Sequence, residues 1–203
     1  MPGLLLFVPL GPDGLAPELE VLLAEGGIAA VVGDVTALPT AARGPALAAA
    51  REACHRRATA FFVRNDATAA HAAAADGVHL DDPAKVAAVR SQLGPDAIIG
   101  AACGRSRHTA MVAGEAGADY VMLGTLDRPV EDEDGLSELV AWWNELFVIP
   151  CAVAGRLTPD RAAAFVRAGA DLVAVTAGGN DLPELARTVR AIGPRPASSA
   201  MQG

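Results

Sequence analysis

At 203 residues and 20.6 kDa the chain is sized for one domain, with a core of Ala, Val and Leu, since 52% of its residues are apolar and only 4% aromatic. Its 16 Lys and Arg against 24 Asp and Glu give a formal charge of −8, and without a clustered basic run this argues against nucleic acid or an anionic membrane as partner. No apolar run is long enough to span a bilayer, and residues 1–10 lack the basic start and cleavage signature of a secretory signal, so a cytoplasmic protein is expected.

Residues 4–9 form the first strand candidate, closed by Gly11-Pro12-Asp13-Gly14. Residues 15–25 carry Leu15, Leu19, Leu22 and Leu23 at helical spacing until Gly26-Gly27 stops them. Residues 28–32 read as the second strand, ending at Gly33-Asp34. Residues 40–57 are Ala-rich and read as a helix on alanine's propensity, with Gly44-Pro45 expected to interrupt its start. Strands then follow at 60–63, 78–80, 97–102, 120–123, 151–154 and 172–175, alternating with helices at 67–75, 83–93, 106–116, 135–146, 159–168 and 182–192. Nowhere do two strands run consecutively, which calls for a parallel sheet wrapped in helices. Eight such units predict a compact (β/α)8 TIM barrel, one domain over residues 1–193. Residues 194–203 are a polar tail expected to lack order.

Three helices end in similar words: Ala74-Ala75-Asp76-Gly77-Val78, Glu115-Ala116-Gly117-Ala118-Asp119-Tyr120 and Arg167-Ala168-Gly169-Ala170-Asp171-Leu172. Glycine supplies the left-handed stop and the Asp turns the chain into the next strand, a structural job without chemistry.

Chemistry is expected where two successive strands deliver polar groups at their carboxyl ends, the edge on which α/β proteins bind ligands. Phe61-Phe62-Val63 stops at Arg64-Asn65-Asp66, and Asp76-Gly77-Val78-His79-Leu80 runs into Asp81-Asp82. Asp66 and Asp82, the latter before Pro83, are also placed to cap the helices that follow. His79 ends its strand either as a hydrogen-bond donor or as a neutral histidine at the core's edge. Cys54, Cys103 and Cys151 are odd in number and far apart, which suggests neither a disulfide framework nor a zinc site. Cys103 follows the fifth strand but has no evident partner base, so a small filler fits it better than a nucleophile. His55, His71 and His108 fall on helices at spacings that support no metal site. Trp142 and Trp143 face about 100° apart on one helix, so one suits the core and the other a contact in a homo-oligomer. Glu131-Asp132-Glu133-Asp134 reads as a solvated loop.

Asn65-Asp66, Ala75-Asp76-Gly77-Val78-His79-Leu80, Gly94-Pro95-Asp96-Ala97-Ile98-Ile99-Gly100 and Gly117-Ala118-Asp119-Tyr120-Val121 together form a running text. Pro150-Cys151-Ala152-Val153-Ala154-Gly155 and Ala168-Gly169-Ala170-Asp171-Leu172-Val173-Ala174-Val175 continue it. From about residue 61 to 179 this text resembles the thiamine-phosphate synthase and thiazole tautomerase superfamily of TIM barrels. The resemblance implies the joining of hydroxymethylpyrimidine diphosphate to thiazole phosphate with release of pyrophosphate, and small phosphorylated pyrimidine and thiazole ligands as partners. It implies magnesium (Mg2+) on the diphosphate, held by Asp66 and by Asp82 or Asp81, because the family's Gly-Gln-Glu-Asp run is shortened here. It implies Asn65 beside the pyrimidine, and thiazole phosphate on Gly155 and the backbone of Thr176, Ala177 and Gly178.

The chain departs from that pattern in places that matter. The family's Gln-x-Arg-x-x-Lys-like cluster, which grips the diphosphate after the second strand, is replaced by Val31-Val32-Gly33-Asp34-Val35. The Ser-x-His ending of the fifth strand reads Ala102-Cys103-Gly104, and the Thr-x-Thr-Lys loop after the sixth reads Gly124-Thr125-Leu126-Asp127-Arg128-Pro129. The tautomerase's histidine on that loop is missing, and the second glycine after the seventh strand is Arg156. Arg64, Arg105, Arg128 and Arg156 all fall at or after strand ends, either as a rebuilt anion clamp or as solvated loop residues. Arg156 favours the clamp, because it borders the phosphate loop. The expected activity is therefore that of a divergent synthase. The alternatives are a barrel that only binds a phosphate ligand or regulates a partner, and a different phosphate chemistry on the same scaffold.

Overall fold

Eight apolar segments pair side by side in chain order and close on themselves. In the computed structural model, which describes residues 2–177 and 182–191, these are β1 (Gly3–Pro9), β2 (Ile28–Asp34), β3 (Ala60–Arg64) and β4 (Gly77–Leu80). They continue with β5 (Ile98–Gly104), β6 (Tyr120–Pro129), β7 (Cys151–Arg156) and β8 (Leu172–Thr176). Every neighbouring pair is parallel, and β8 returns to β1 with Thr176 opposite Phe7. Helices α1 (Pro17–Glu25), α2 (Thr40–His55), α3 (Ala67–Ala72) and α4 (Val86–Leu93) follow the first four strands. α5 (Arg107–Glu115), α6 (Glu133–Leu146), α7 (Pro159–Ala168) and α8 (Leu182–Ala191) follow the rest. The chain is the expected (β/α)8 barrel. The residue-194–203 tail and Gly178 lie outside the described residues. Among the described residues no helix is long and apolar enough to cross a membrane.

Alternation along each strand divides the core in two. Outward residues such as Val63, Val78, Ile99, Val121 and Val153 pack beneath the helices. Inward ones, among them Leu5, Phe7, Val32, Phe62, Tyr120 and Met122, fill the barrel together with Ala30, Ala152, Ala154 and Ala174. The three repeated Asp residues close the amino-terminal end. Asp76, Asp119 and Asp171 each accept a backbone N–H from the first or second residue of the preceding strand, Phe61 (2.7 Å), Ile99 (2.7 Å) and Cys151 (3.0 Å). Their structural role is thus a latch between each strand and the one before it.

Most strands run further than their apolar text. β2 reaches Asp34, β3 Arg64, β7 Arg156 and β8 Thr176, because backbone pairing continues after the side chains turn polar. Counting by twos from the barrel-filling residues puts Asp34, Arg64 and Thr176 on the inward face. α2 likewise runs unbroken through Gly44-Pro45. Pro45 forgoes one bond to the carbonyl four residues earlier, while Ala46, Leu47 and Ala50 hold the helix on the barrel.

Candidate active site

The carboxyl ends of β2, β3 and β4 bring one guanidinium against two carboxylates. Arg64 Nε lies 3.1 Å from both oxygens of Asp81 and its Nη2 lies 2.9 Å from Asp81 Oδ2. Nη1 reaches Asp34 Oδ2 at 3.3 Å. The Phe7 ring lies beneath, its centre 5.7 Å from Cζ. Asn65 adopts a left-handed φ of 59°, which asparagine tolerates better than other side chains. That turn aims its amide at Asp81, donating to Oδ2 and accepting the Asp81 N–H, each at 2.8 Å. Burial works against the Asp81 charge, yet the hydrogen bonds from Arg64 and Asn65 hold its carboxyl below the usual range.

Below this cluster, His79 is completely buried. Its Nδ1 shares a 2.8 Å hydrogen bond with the Tyr120 hydroxyl, and Phe7 meets its ring edge-on at 4.8 Å. His79, Gly100 and Tyr120 lie in one register row across β4, β5 and β6. Tyr120 reaches His79 across the intervening strand only because position 100 has no side chain: a Cβ there would sit 1.9 Å from Tyr120 Cζ. Burial pushes the His79 pKa down to about 3, with Asp81 acting upward and Arg64 downward. Burial also pushes the Tyr120 hydroxyl up, so the pair is neutral. Nε2 of His79 has no hydrogen-bond partner and lies 4.0 Å from Asp81 Oδ1.

Asp66 and Asp82 cap the elements that follow them. Asp66 accepts from Ala69 N–H at 2.8 Å, and Asp82 from Ala84 N–H at 3.1 Å. Each cap engages one carboxylate oxygen, so the expected capping and a ligand role are compatible. On the opposite arc, a cavity of about 170 Å³ opens between the ends of β6 and β7, lined by Arg105, Thr125, Arg128 and Glu131. Arg105 is tied to Asp132, which also caps α6. Gly155 is buried beneath Val130, while Arg128 and Arg156 are exposed. Ala177 donates its N–H to the Phe7 carbonyl at 2.9 Å, so this amide closes the barrel and does not face a ligand as the resemblance implied. Burial raises the Cys103 thiol to about 12, in keeping with a filler residue. Trp143 is buried and donates to Ile149 O at 2.8 Å, while Trp142 packs under Arg107 at 4.6 Å.

Three participants were not singled out from the sequence. Asp34 stood only within the run that replaces the family's cation cluster, Tyr120 looked like one apolar residue in a strand, and Gly100 like a structural glycine. The row that joins the last two needs β5 placed between β4 and β6, which no local pattern carries.

A closed (β/α)8 barrel with anionic and cationic side chains gathered at its carboxyl mouth carries its candidate site on the face where barrels of this class place theirs. Residues 12–178 match the family profile described as thiamine monophosphate synthase. The thiamine-phosphate synthase of Rhodospirillum centenum is 36% identical over 173 residues, covering 82% of this chain and 83% of that protein. That of Erythrobacter litoralis is 43% identical over 129 residues, and the match spans 61% of either chain. Among solved structures, thiamine phosphate pyrophosphorylase from Pyrococcus furiosus aligns with a TM-score of 0.74 at 27% identity, covering 94% of this chain and 98% of that one. The chain belongs to the thiamine monophosphate synthase family.

Proposed function

We propose that this chain joins hydroxymethylpyrimidine diphosphate to thiazole phosphate and releases pyrophosphate, acting in the cytoplasm. The observation that carries the reading is the convergence of Arg64, Asn65, Asp66, Asp81 and Asp82 on one end of the barrel, in a chain that belongs to this family. As the pyrimidine carbon loses its leaving group, negative charge grows on the pyrophosphate. Neutralising that charge is the main catalytic task. Arg64 supplies a fixed positive fork for it.

Among the described residues no cluster of three or more His, Cys, Asp or Glu is arranged to hold a metal by itself. Magnesium, however, is commonly held by one or two carboxylates plus substrate phosphates, and Asp66 and Asp82 each keep one oxygen outside their caps. The residues therefore fit a magnesium ion that arrives with the diphosphate, and when bound it would neutralise charge on the leaving group. His79, buried beneath Asp81 as a neutral group, would support the mouth from below and not touch the substrate ring. Gly155, Arg156 and Thr176, at the ends of β7 and β8, are assigned the thiazole phosphate, and Arg128 the rim of the neighbouring cavity.

The test is incubation with both precursors and magnesium, assayed for thiamine phosphate, with Asp66→Asn in parallel. Asparagine caps helices as well as aspartate does, so the variant should keep its melting temperature and lose about a hundredfold or more in rate. Undiminished product from Asp66→Asn removes that residue from the site. No product from the parent chain, with thiazole phosphate still raising the melting temperature, would leave the binding-only reading that Asp34 favours.

A further inference from the structure

Arg64 is held unequally on its two sides. Toward β4, Asp81 takes Nε and Nη2 through contacts of 2.9–3.1 Å, and Asn65 braces that carboxylate with two 2.8 Å bonds. Toward β2 there is a longer contact, 3.3 Å from Nη1 to Asp34 Oδ2. Asp34 is itself anchored in its own turn through Oδ1, which accepts from Thr36 N–H at 2.9 Å and Thr36 Oγ1 at 2.6 Å. The firm side fixes where the guanidinium points. The loose side is turned toward Asp34 at the end of β2.

We infer that Arg64 is the residue that takes the diphosphate end of the substrate and then the pyrophosphate product, oriented by Asp81 and Asn65, while Asp34 is a placeholder carboxylate that the phosphate oxygens displace from Nη1. The identity of the anion rests on the synthase reading. The geometry behind it does not. With the fork gripped along its Nε edge, Nη1 is the donor that Asp34 holds at 3.3 Å, and phosphate oxygens are the acceptors that such a fork suits best. Asp34 carries the same sign as the incoming group. It keeps Arg64 in place in the unliganded protein and opposes tight retention of pyrophosphate after the bond is made. Asp81 and Asn65 are positioning residues; Arg64 alone touches the anion.

The test is calorimetric titration of the full chain with inorganic pyrophosphate at fixed magnesium, with a thermal melt of each variant. Arg64→Gln should weaken pyrophosphate about tenfold or more, the loss of a charge-assisted hydrogen bond. Arg64→Lys keeps the charge without the fork, retains the fold, and should lose most of the same affinity. Asp34→Asn keeps an acceptor for Thr36, removes the opposing charge, and should tighten pyrophosphate about threefold or more. Asp81→Asn should raise KM for the diphosphate substrate and leave KM for thiazole phosphate unchanged, a split that a merely structural residue would not produce. Unchanged pyrophosphate affinity in both Arg64 variants overturns the assignment, as does weaker binding by Asp34→Asn. If the parent chain makes no thiamine phosphate but these affinities move as stated, the synthase reading falls and the Arg64 site stands.

Discussion

His79 gives the sharpest handle on the barrel interior. It is fully buried beside Tyr120 and Phe7, and burial lowers its pKa to about 3. In the unfolded chain the imidazole returns to about 6.5. Between those values the unfolded state binds a proton that the folded state refuses. The residue's contribution is therefore fully present above pH 6.5 and is lost as pH falls through the window toward 3. At pH 5 the loss relative to pH 8 is about 2 kcal/mol, and it depends on the unfolded value alone so long as the folded one stays well below 5. Asp81 has the opposite chemistry and a lower window. Its folded pKa is depressed, so its contribution fades only as pH falls below the ordinary carboxylate range. The assay is urea unfolding of the parent chain and of His79→Leu at pH 8, 6.5 and 5. His79→Leu costs stability at every pH because Tyr120 loses its partner, but the gap between the two curves should narrow by about 2 kcal/mol at pH 5. A constant gap would show that folded His79 takes up a proton as readily as the unfolded chain, with Asp81 at 4.0 Å as its partner, and would refute the buried neutral imidazole.

Gly100→Ala places a methyl 1.9 Å from Tyr120 Cζ, in a row where His79 and Tyr120 are both buried. It should cost about 3 kcal/mol or more in urea unfolding, and wild-type stability would show that the ring can leave the row. Asp119→Ala removes the acceptor of the Ile99 N–H and the partner of Arg90 at the amino-terminal end. It should lower stability by about 1–3 kcal/mol with KM for both precursors unchanged, and altered KM would place this latch in contact with the mouth.

The periodicity that made the barrel legible is also what hid part of its site. Strands read from apolar runs stop at Val32 and Val63, because the next inward side chains are Asp34 and Arg64 and no longer resemble core. Hydrogen bonding of the backbone has no such criterion, so β2 and β3 carry those residues into the mouth as wall positions. Asp66 and Asp82 were legible because cap chemistry is local, three residues or fewer from donor to acceptor, whereas the bonds of Asn65 reach Asp81 across 16 residues. The Asp76, Asp119 and Asp171 latches were legible as a repeated word, although their acceptor role reaches back across 15 to 20 residues. Tyr120 and His79 are 41 residues apart, and only closure of the sheet makes them neighbours.

The same geometry shows how a missing motif and the proposed function can coexist. Judged position by position, Asp34 at the end of β2 is a lost cation and a gained repulsion. Judged in the barrel, the cation has moved by one strand. Adjacent strands lie about 4.8 Å apart, a distance that an arginine side chain spans, and Arg64 on β3 reaches the carboxylate of β2 at 3.3 Å. A guanidinium at this rim is therefore available to the same volume from either strand, provided something fixes its direction. Asp81 and Asn65 do so from β4 and the β3 turn. The exchange has one consequence that a cation rooted on β2 would not have. The clamp now works against a built-in competitor, so affinity for pyrophosphate is set by how readily Asp34 gives way as much as by Arg64 itself.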